Sequence, residues 1–272
     1  MFVNVGFIGS GNMGSALAKC AAKGIARRGI GKLYLTDADH QKADKLAGQT
    51  KGISASNTEA AEECNLLFLA IKPQMLTGVL EEIKPILCRR TDRFVLASMV
   101  AGVEISRIQE LLGCECPVIR IMPNTAVAVG AGMIQMCAQN TKEEEINDFC
   151  ELMGDAGMLD SLPEHLIDAA SAVSGCGPAY LCLALEGMAD GGVALGLSRE
   201  KALRYAAQTI YGLGKLALET NQHPGVLKDQ VTSPGGTTIQ GVRALENYRA
   251  RAAFIEAVIA SFEKTDALKK QV

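Results

Sequence analysis

Short apolar runs alternate with amphipathic stretches through the first half of the chain, and the alternation stops near residue 164. Residues 3–8 form a compact β-rich run. The segment after it places apolar side chains at Met13, Ala16, Leu17, Cys20 and Ala21, the i, i+3, i+4 spacing of one helix face. Residues 32–36 predict a second strand. Residues 66–70 are apolar at every position, as expected of a central parallel strand covered on both faces, and 94–98 and 118–122 have the same character. Strands separated by helical segments predict βαβ units with right-handed crossovers. Residues 1–164 therefore read as an α/β Rossmann-type domain with a mainly parallel sheet.

Beyond Glu164 the strand-like runs disappear. Helical patterns cover 176–195, 199–220, 238–246 and 250–270, punctuated by Pro224-Gly225 and Pro234-Gly235-Gly236. Residues 165–272 read as an all-α domain. Its helix at 178–195 is apolar on most of its circumference, through Tyr180, Leu181, Leu183, Ala184, Leu185 and Met188, and such a helix must be buried on most sides. A domain this small cannot easily do that alone, so a subunit interface is expected.

Composition narrows the class. The chain is 48% hydrophobic and 21% charged with a formal net charge of −3, which suits a globular protein and argues against nucleic-acid binding, since phosphate neutralisation needs clustered basic residues. Nine scattered cysteines, an odd number without framework spacing, suit a reducing compartment and small buried side chains. Cys114 and Cys116 are too closely spaced for a zinc knuckle, and no metal site is expected. The first residues carry no signal-peptide pattern and no apolar run reaches the ~20 residues of a membrane span. The expectation is a cytoplasmic protein without a membrane segment.

Candidate chemistry begins at Gly9-Ser10-Gly11-Asn12-Met13-Gly14, between the first strand and the first helix. This is G-x-G-x-x-G in the context that gives it meaning. The first glycine permits the tight turn, the second lets backbone approach a pyrophosphate, and the third lets helix and strand pack closely. The helix N-terminus then faces the phosphates. An acidic residue is expected about 20 positions on, at the end of the second strand, and Asp37 occupies that place. A carboxylate there accepts from an unmodified ribose and repels a 2′-phosphate, which favours NADH over NADPH. The competing role for Asp37 is to cap the helix that starts near His40.

Several motifs together resemble the pyrroline-5-carboxylate reductase family. They are Gly6-Phe7-Ile8-Gly9-Ser10-Gly11-Asn12-Met13-Gly14, Ala70-Ile71-Lys72-Pro73-Gln74, Ala101-Gly102-Val103, Met122-Pro123-Asn124-Thr125, Val173-Ser174-Gly175-Cys176-Gly177-Pro178-Ala179-Tyr180, and His223-Pro224-Gly225-Val226-Leu227-Lys228-Asp229 followed by Val231-Thr232-Ser233-Pro234-Gly235-Gly236-Thr237-Thr238-Ile239. The resemblance runs almost end to end. It implies reduction of 1-pyrroline-5-carboxylate to L-proline, the last step of proline biosynthesis, and a C-terminal domain that interlocks with a partner in a homodimer, with a decamer as the larger assembly. It implies a cofactor site on Gly9, Ser10, Gly11, Asn12, Met13, Gly14, Asp37, Asn57, Ala70, Lys72, Pro73 and Asn124. It implies a substrate loop in which Ser233, Gly236, Thr237 and Thr238 hold the carboxylate and the Thr238 hydroxyl approaches the ring nitrogen. Family members commonly prefer NADPH, with a polar-then-basic pair after the second strand. Here Asp37-Ala38 stands there, so either NADPH or NADH is the expected cofactor.

The residues of that loop suit the task on their own chemistry. Glycine-rich backbone turning into a helix offers several N–H donors and a positive dipole end to an anion; the alternative is a plain helix N-cap cluster. Thr238 has no adjacent base, which favours orienting the ring over donating a proton. His40, His165 and His223 read as structural. Two rival functions remain. A β-hydroxyacid dehydrogenase needs a lysine early in the long interdomain helix, and residues 170–200 contain none, the first being Lys201. A non-catalytic nicotinamide sensor needs the glycine turn but has no use for the loop at 233–238.

Overall fold

In the computed structural model, which describes residues 1–269, the chain divides into two compact units. The first contains residues 1–175 and the end of the last helix from Phe262 onward; the second contains residues 176–261.

The first unit is built on one eight-stranded sheet in the order β3-β2-β1-β4-β5-β6-β7-β8. Its strands are β1 (Asn4–Ile8), β2 (Lys32–Thr36), β3 (Ile53–Ser54), β4 (Leu66–Leu69), β5 (Val95–Ser98), β6 (Val118–Pro123), β7 (Gly132–Gln139) and β8 (Gly157–Ser161). All pairings are parallel except β6 with β7. The helices of this unit are α1 (Asn12–Arg28), α2 (His40–Thr50), α3 (Asn57–Glu63), α4 (Leu76–Leu87), α5 (Ile105–Leu112), α6 (Glu143–Met153) and α7 (Ile167–Ser174).

Alternation along the central strands sends neighbouring residues to opposite faces. Phe7 and Phe68 stack with centroids 4.1 Å apart in the core that α1 and α6 cover, with Leu17 and Phe149. Ile8, Leu67 and Leu69 face the other core, against Leu80 and Ile83 of α4 and Ile108 of α5. The expected strands at 3–8, 32–36, 66–70, 94–98 and 118–122 are all present, to within a residue or so at their ends. The antiparallel β7 and its partner β8 carry no comparable periodic signal.

The sequence places a domain boundary at Glu164, whereas the division by packing falls after Gly175. The difference is α7. Its Ile167 and Ala172 are buried and it lies against β6 and β7, so this helix belongs physically to the sheet although it is already helical in pattern. A buried ion cluster adds to that attachment. Arg120 of β6, fully buried, donates to Asp168 Oδ1 at 2.8 Å and to Glu164 Oε1 at 3.2 Å; Lys269 Nζ lies 2.5 Å from the other Asp168 oxygen.

The second unit holds α8 (Gly177–Ala194), α9 (Arg199–Thr220), α10 (Pro224–Gln230), α11 (Thr237–Asn247) and most of α12 (Ala250–Lys269). Residues 224–230 were not expected to be helical. Pro224 at the first position and the His223 ring, whose Nδ1 accepts from Gly225 N at 3.1 Å, start that short helix. Helices α8 and α9 pack through small residues: a Cβ on Gly192 would lie 3.2 Å from that of Ala202. The Tyr180 hydroxyl bonds to Ala257 O and Ser261 Oγ, tying α8 to α12. Little else is enclosed. Leu183 is 72% exposed and Leu218 70%, with Leu181, Met188, Tyr211 and Leu213 also open. The run Glu164–Ala194 is long and apolar enough, at a mean hydropathy of 1.3, to cross a membrane by length and composition. That differs from the sequence expectation of no such run; along the chain only Gly175 and Cys176 separate α7 from α8.

Candidate cofactor cleft and substrate loop

Three glycines shape the turn after β1, each for a different physical reason. Gly9 has φ +105° and a Cβ there would lie 2.3 Å from the Ala70 carbonyl oxygen, so no side chain fits. Gly14, inside α1, would place its Cβ 2.3 Å from the Gly9 oxygen; its absence lets the helix sit directly on the turn. Gly11 has open space where its side chain would be and lines a cleft. It is also the N-cap of α1 and offers no side-chain acceptor to the first-turn N–H groups. A turn pinned at two points and open at the third is what close approach of a phosphate requires.

The cleft has a volume of about 710 Å³, within the usual range for a small-molecule site. Of the expected cofactor residues, Gly9, Gly11, Asp37, Asn57, Ala70 and Lys72 line it. Ser10, Asn12, Met13 and Gly14 complete the turn and the first turn of α1 without lining the cleft, and Pro73 opens the 3₁₀ turn Pro73–Met75 after β4. Asn124 is placed elsewhere. Its Oδ1 accepts from Ala126 N and Met133 N, both at 3.2 Å, and its Nδ2 donates to Ser174 O at 3.0 Å. Those bonds hold β6, β7 and the end of α7 together, leaving one amide N–H of Asn124 over.

Asp37 braces the glycine turn from the end of β2. Its Oδ2 accepts from Ser10 N at 2.8 Å and its Oδ1 from Asp39 N at 3.0 Å. The cap of α2 is instead Asp39, which accepts from Gln41 N. Ser10, itself buried, donates its hydroxyl to Thr36 O and accepts from Ser15 Oγ at its carbonyl, so the turn is bonded on every side. An ionised carboxylate has about four lone-pair directions, and two remain on Asp37 for a ligand. Lys42, paired with Asp39 at 3.6 Å, and His40 line the same rim. Thr36, Met75, Val79 and Glu82 also line the cleft, and no motif marks them in the sequence.

In the second unit, Ser233 to Gly236 form a tight turn with Gly236 N bonded to Ser233 O at 3.0 Å, and Gly235 at φ +70° allows the reversal. Gly236 is the N-cap of α11 and supplies no side-chain acceptor. Among the described residues the hydroxyls of Ser233, Thr237 and Thr238 have no hydrogen-bond partner. The loop therefore presents free backbone donors and three hydroxyls at a helix N-terminus. The helix before α10 ends on Asn221 in the left-handed region, φ +50°, which asparagine tolerates.

All nine cysteines are free thiols. Burial pushes Cys116 up to about 12 and Cys137 up to about 11, so both stay neutral, as small hydrophobic side chains do. No group of three or more His, Cys, Asp or Glu among the described residues is arranged to hold a metal ion.

The family description "Pyrroline-5-carboxylate reductase dimerisation" matches residues 164–268, and "NADP oxidoreductase coenzyme F420-dependent" matches residues 4–96. The chain is 38% identical to a pyrroline-5-carboxylate reductase of Methanosarcina acetivorans over 98% of both chains, and 38% identical to that of Escherichia coli K12 with the same coverage. A solved structure of Plasmodium falciparum pyrroline carboxylate reductase with NADP bound superposes with a TM-score of 0.86 at 33% identity, covering 98% of each chain. A Rossmann sheet with a glycine turn, a helical second half with a glycine-rich loop, and likeness over nearly the whole length lead to one conclusion: the chain belongs to the pyrroline-5-carboxylate reductase family.

Proposed function

We propose that this protein reduces 1-pyrroline-5-carboxylate to L-proline with a reduced nicotinamide dinucleotide. The observation that carries the reading is the pairing of two features in a chain of this family: a cleft at the ends of β1, β2 and β4 behind a glycine turn, and an uncapped glycine-rich helix start at 233–238. The nicotinamide supplies a hydride to the carbon of the C=N bond, and a proton goes to the nitrogen.

The protein's own work is to bind and orient. Gly9, Gly11 and the first turn of α1 hold the pyrophosphate, and Asp37 and Asn57 the adenosine ribose region. Ala70, Lys72 and Pro73 border the cleft beyond the carboxyl end of β4. The backbone N–H groups at Thr237 and Thr238, beside Gly236 and with the Ser233 hydroxyl, hold the substrate carboxylate. The Thr238 hydroxyl orients the ring nitrogen; with no base bonded to it, it is a weak acid and a good donor–acceptor. Asn124 is left out of this assignment, since it does not line the cleft. The Asp37 carboxylate beside the ribose position favours NADH over NADPH.

The exposed apolar faces of α8 and α9 pack against a second copy, and the match of 164–268 to a dimerisation segment supports reading Glu164–Ala194 as interface and not as a membrane span. Residue 164 then marks the start of the dimerisation module, and 175 the end of the sheet's packing.

The direct test is oxidation of NADH or NADPH followed at the nicotinamide absorbance with pyrroline-5-carboxylate present. Turnover with at least one cofactor is expected; no oxidation with either would leave a nicotinamide sensor as the better reading. In the same assay Thr238→Ala should lower kcat/KM by about one order of magnitude, the size of one lost orienting hydrogen bond. Abolished turnover at every pH would instead make the hydroxyl a required proton relay.

A further inference from the structure

Helix α4 and its N-cap residue Met75 contribute Met75, Gly78, Val79 and Glu82 to the cleft, the i, i+3, i+4, i+7 stripe of a single helix face. Gly78 has no heavy atom within 4 Å of the place its Cβ would occupy, so the stripe begins as a flat apolar strip open to the cleft. It ends in a carboxylate. Glu82 Oε2 accepts from Asn57 Nδ2 at 2.8 Å, and Asn57 Oδ1 accepts from Thr36 Oγ1 at 2.5 Å. An ionised carboxylate only accepts, so Glu82 fixes which end of the Asn57 amide faces it. Glu82 Oε1 has no partner among the described residues.

The position of this chain of bonds says which part of a dinucleotide it meets. The acidic residue closing β2 marks the adenosine ribose, and Thr36 is its neighbour. A ribose phosphate would be repelled by Glu82. A planar base lying on the Met75–Gly78–Val79 strip would not, if it carries an N–H at its edge. We propose that Glu82 is a specificity-determining residue that reads the 6-amino group of adenine, accepting its N–H at Oε1 while Oε2 keeps Asn57 in place. This rests on the cleft being the dinucleotide site.

The test is binding, read from the fluorescence of the reduced nicotinamide, of NADH and of its hypoxanthine counterpart, which has an oxygen where adenine has the amino group. The wild-type protein should bind NADH about tenfold more tightly, the effect of one hydrogen bond to a charged acceptor. In Glu82→Ala the preference should fall to within about twofold, through weaker NADH binding. Glu82→Gln, which can donate to the hypoxanthine oxygen, should erase the preference while retaining affinity for both. Equal affinity of the wild-type protein for the two dinucleotides would overturn the proposal, as would an equal loss for both in Glu82→Ala, which would leave Glu82 only the positioning of Asn57. If the wild-type protein binds neither, the cofactor reading fails and this one with it.

Discussion

A single carboxylate, Asp37, does two jobs that pull on the same atoms. It accepts from the Ser10 and Asp39 backbone amides and so braces the glycine turn, and its negative charge faces the cleft where a ribose is expected. Removing it should therefore have two separable effects. Asp37→Ala is expected to weaken NADH binding by about tenfold, because a buried-side amide loses its acceptor and the ribose loses a partner. The same change should raise NADPH use relative to NADH, because the repulsion of a 2′-phosphate is gone. Steady-state constants with both cofactors would check this; an unchanged ratio would leave the carboxylate a structural brace only. The bracing role was not legible in the sequence, since it needs β1 and β2 side by side to bring residue 37 within reach of residue 10.

At the scale of elements, the central parallel strands were legible because each is a short, largely apolar run, and the helices of the second half because their periodicity is strong. The β7–β8 pairing was not, since β8 is largely exposed and β7 carries a buried glutamine in its middle. The joint between β6, α7 and the end of α12 was also invisible, because nothing in the sequence announces that Arg120 is 0% exposed or that Asp168 is 3% exposed beside it. Such a cluster is costly to break and not especially stabilising to possess. Arg120→Met should lower unfolding stability by about 3–5 kcal/mol in a urea titration, since Asp168 and Glu164 both lose their common partner. A loss under about 1 kcal/mol would mean that Lys269 alone compensates Asp168.

At the scale of the whole molecule, the second unit encloses few side chains of its own: Ala189, Ala202, Ala206 and Leu227 are the buried ones among its described residues. Its helices carry apolar side chains outward, and covering such area in water is worth about 25 cal/mol per Å². In the proposed dimer a second copy supplies the cover. Leu183→Glu, which puts a charge on the outward face of α8, should shift the mass measured by light scattering from dimer towards monomer. An unchanged mass would place the contact on another face. The sequence by itself determined the glycine turn, the parallel strands, the helical second half and the family, because these depend on local spacing and on motifs read along the chain. Only the tertiary structure decided that Asp37 braces the turn, that Asn124 ties β6, β7 and α7 together, that Glu82 enters the cleft and that α7 belongs to the sheet. Each of those depends on which residues distant in sequence fold to within hydrogen-bonding distance, and no period or spacing encodes that distance.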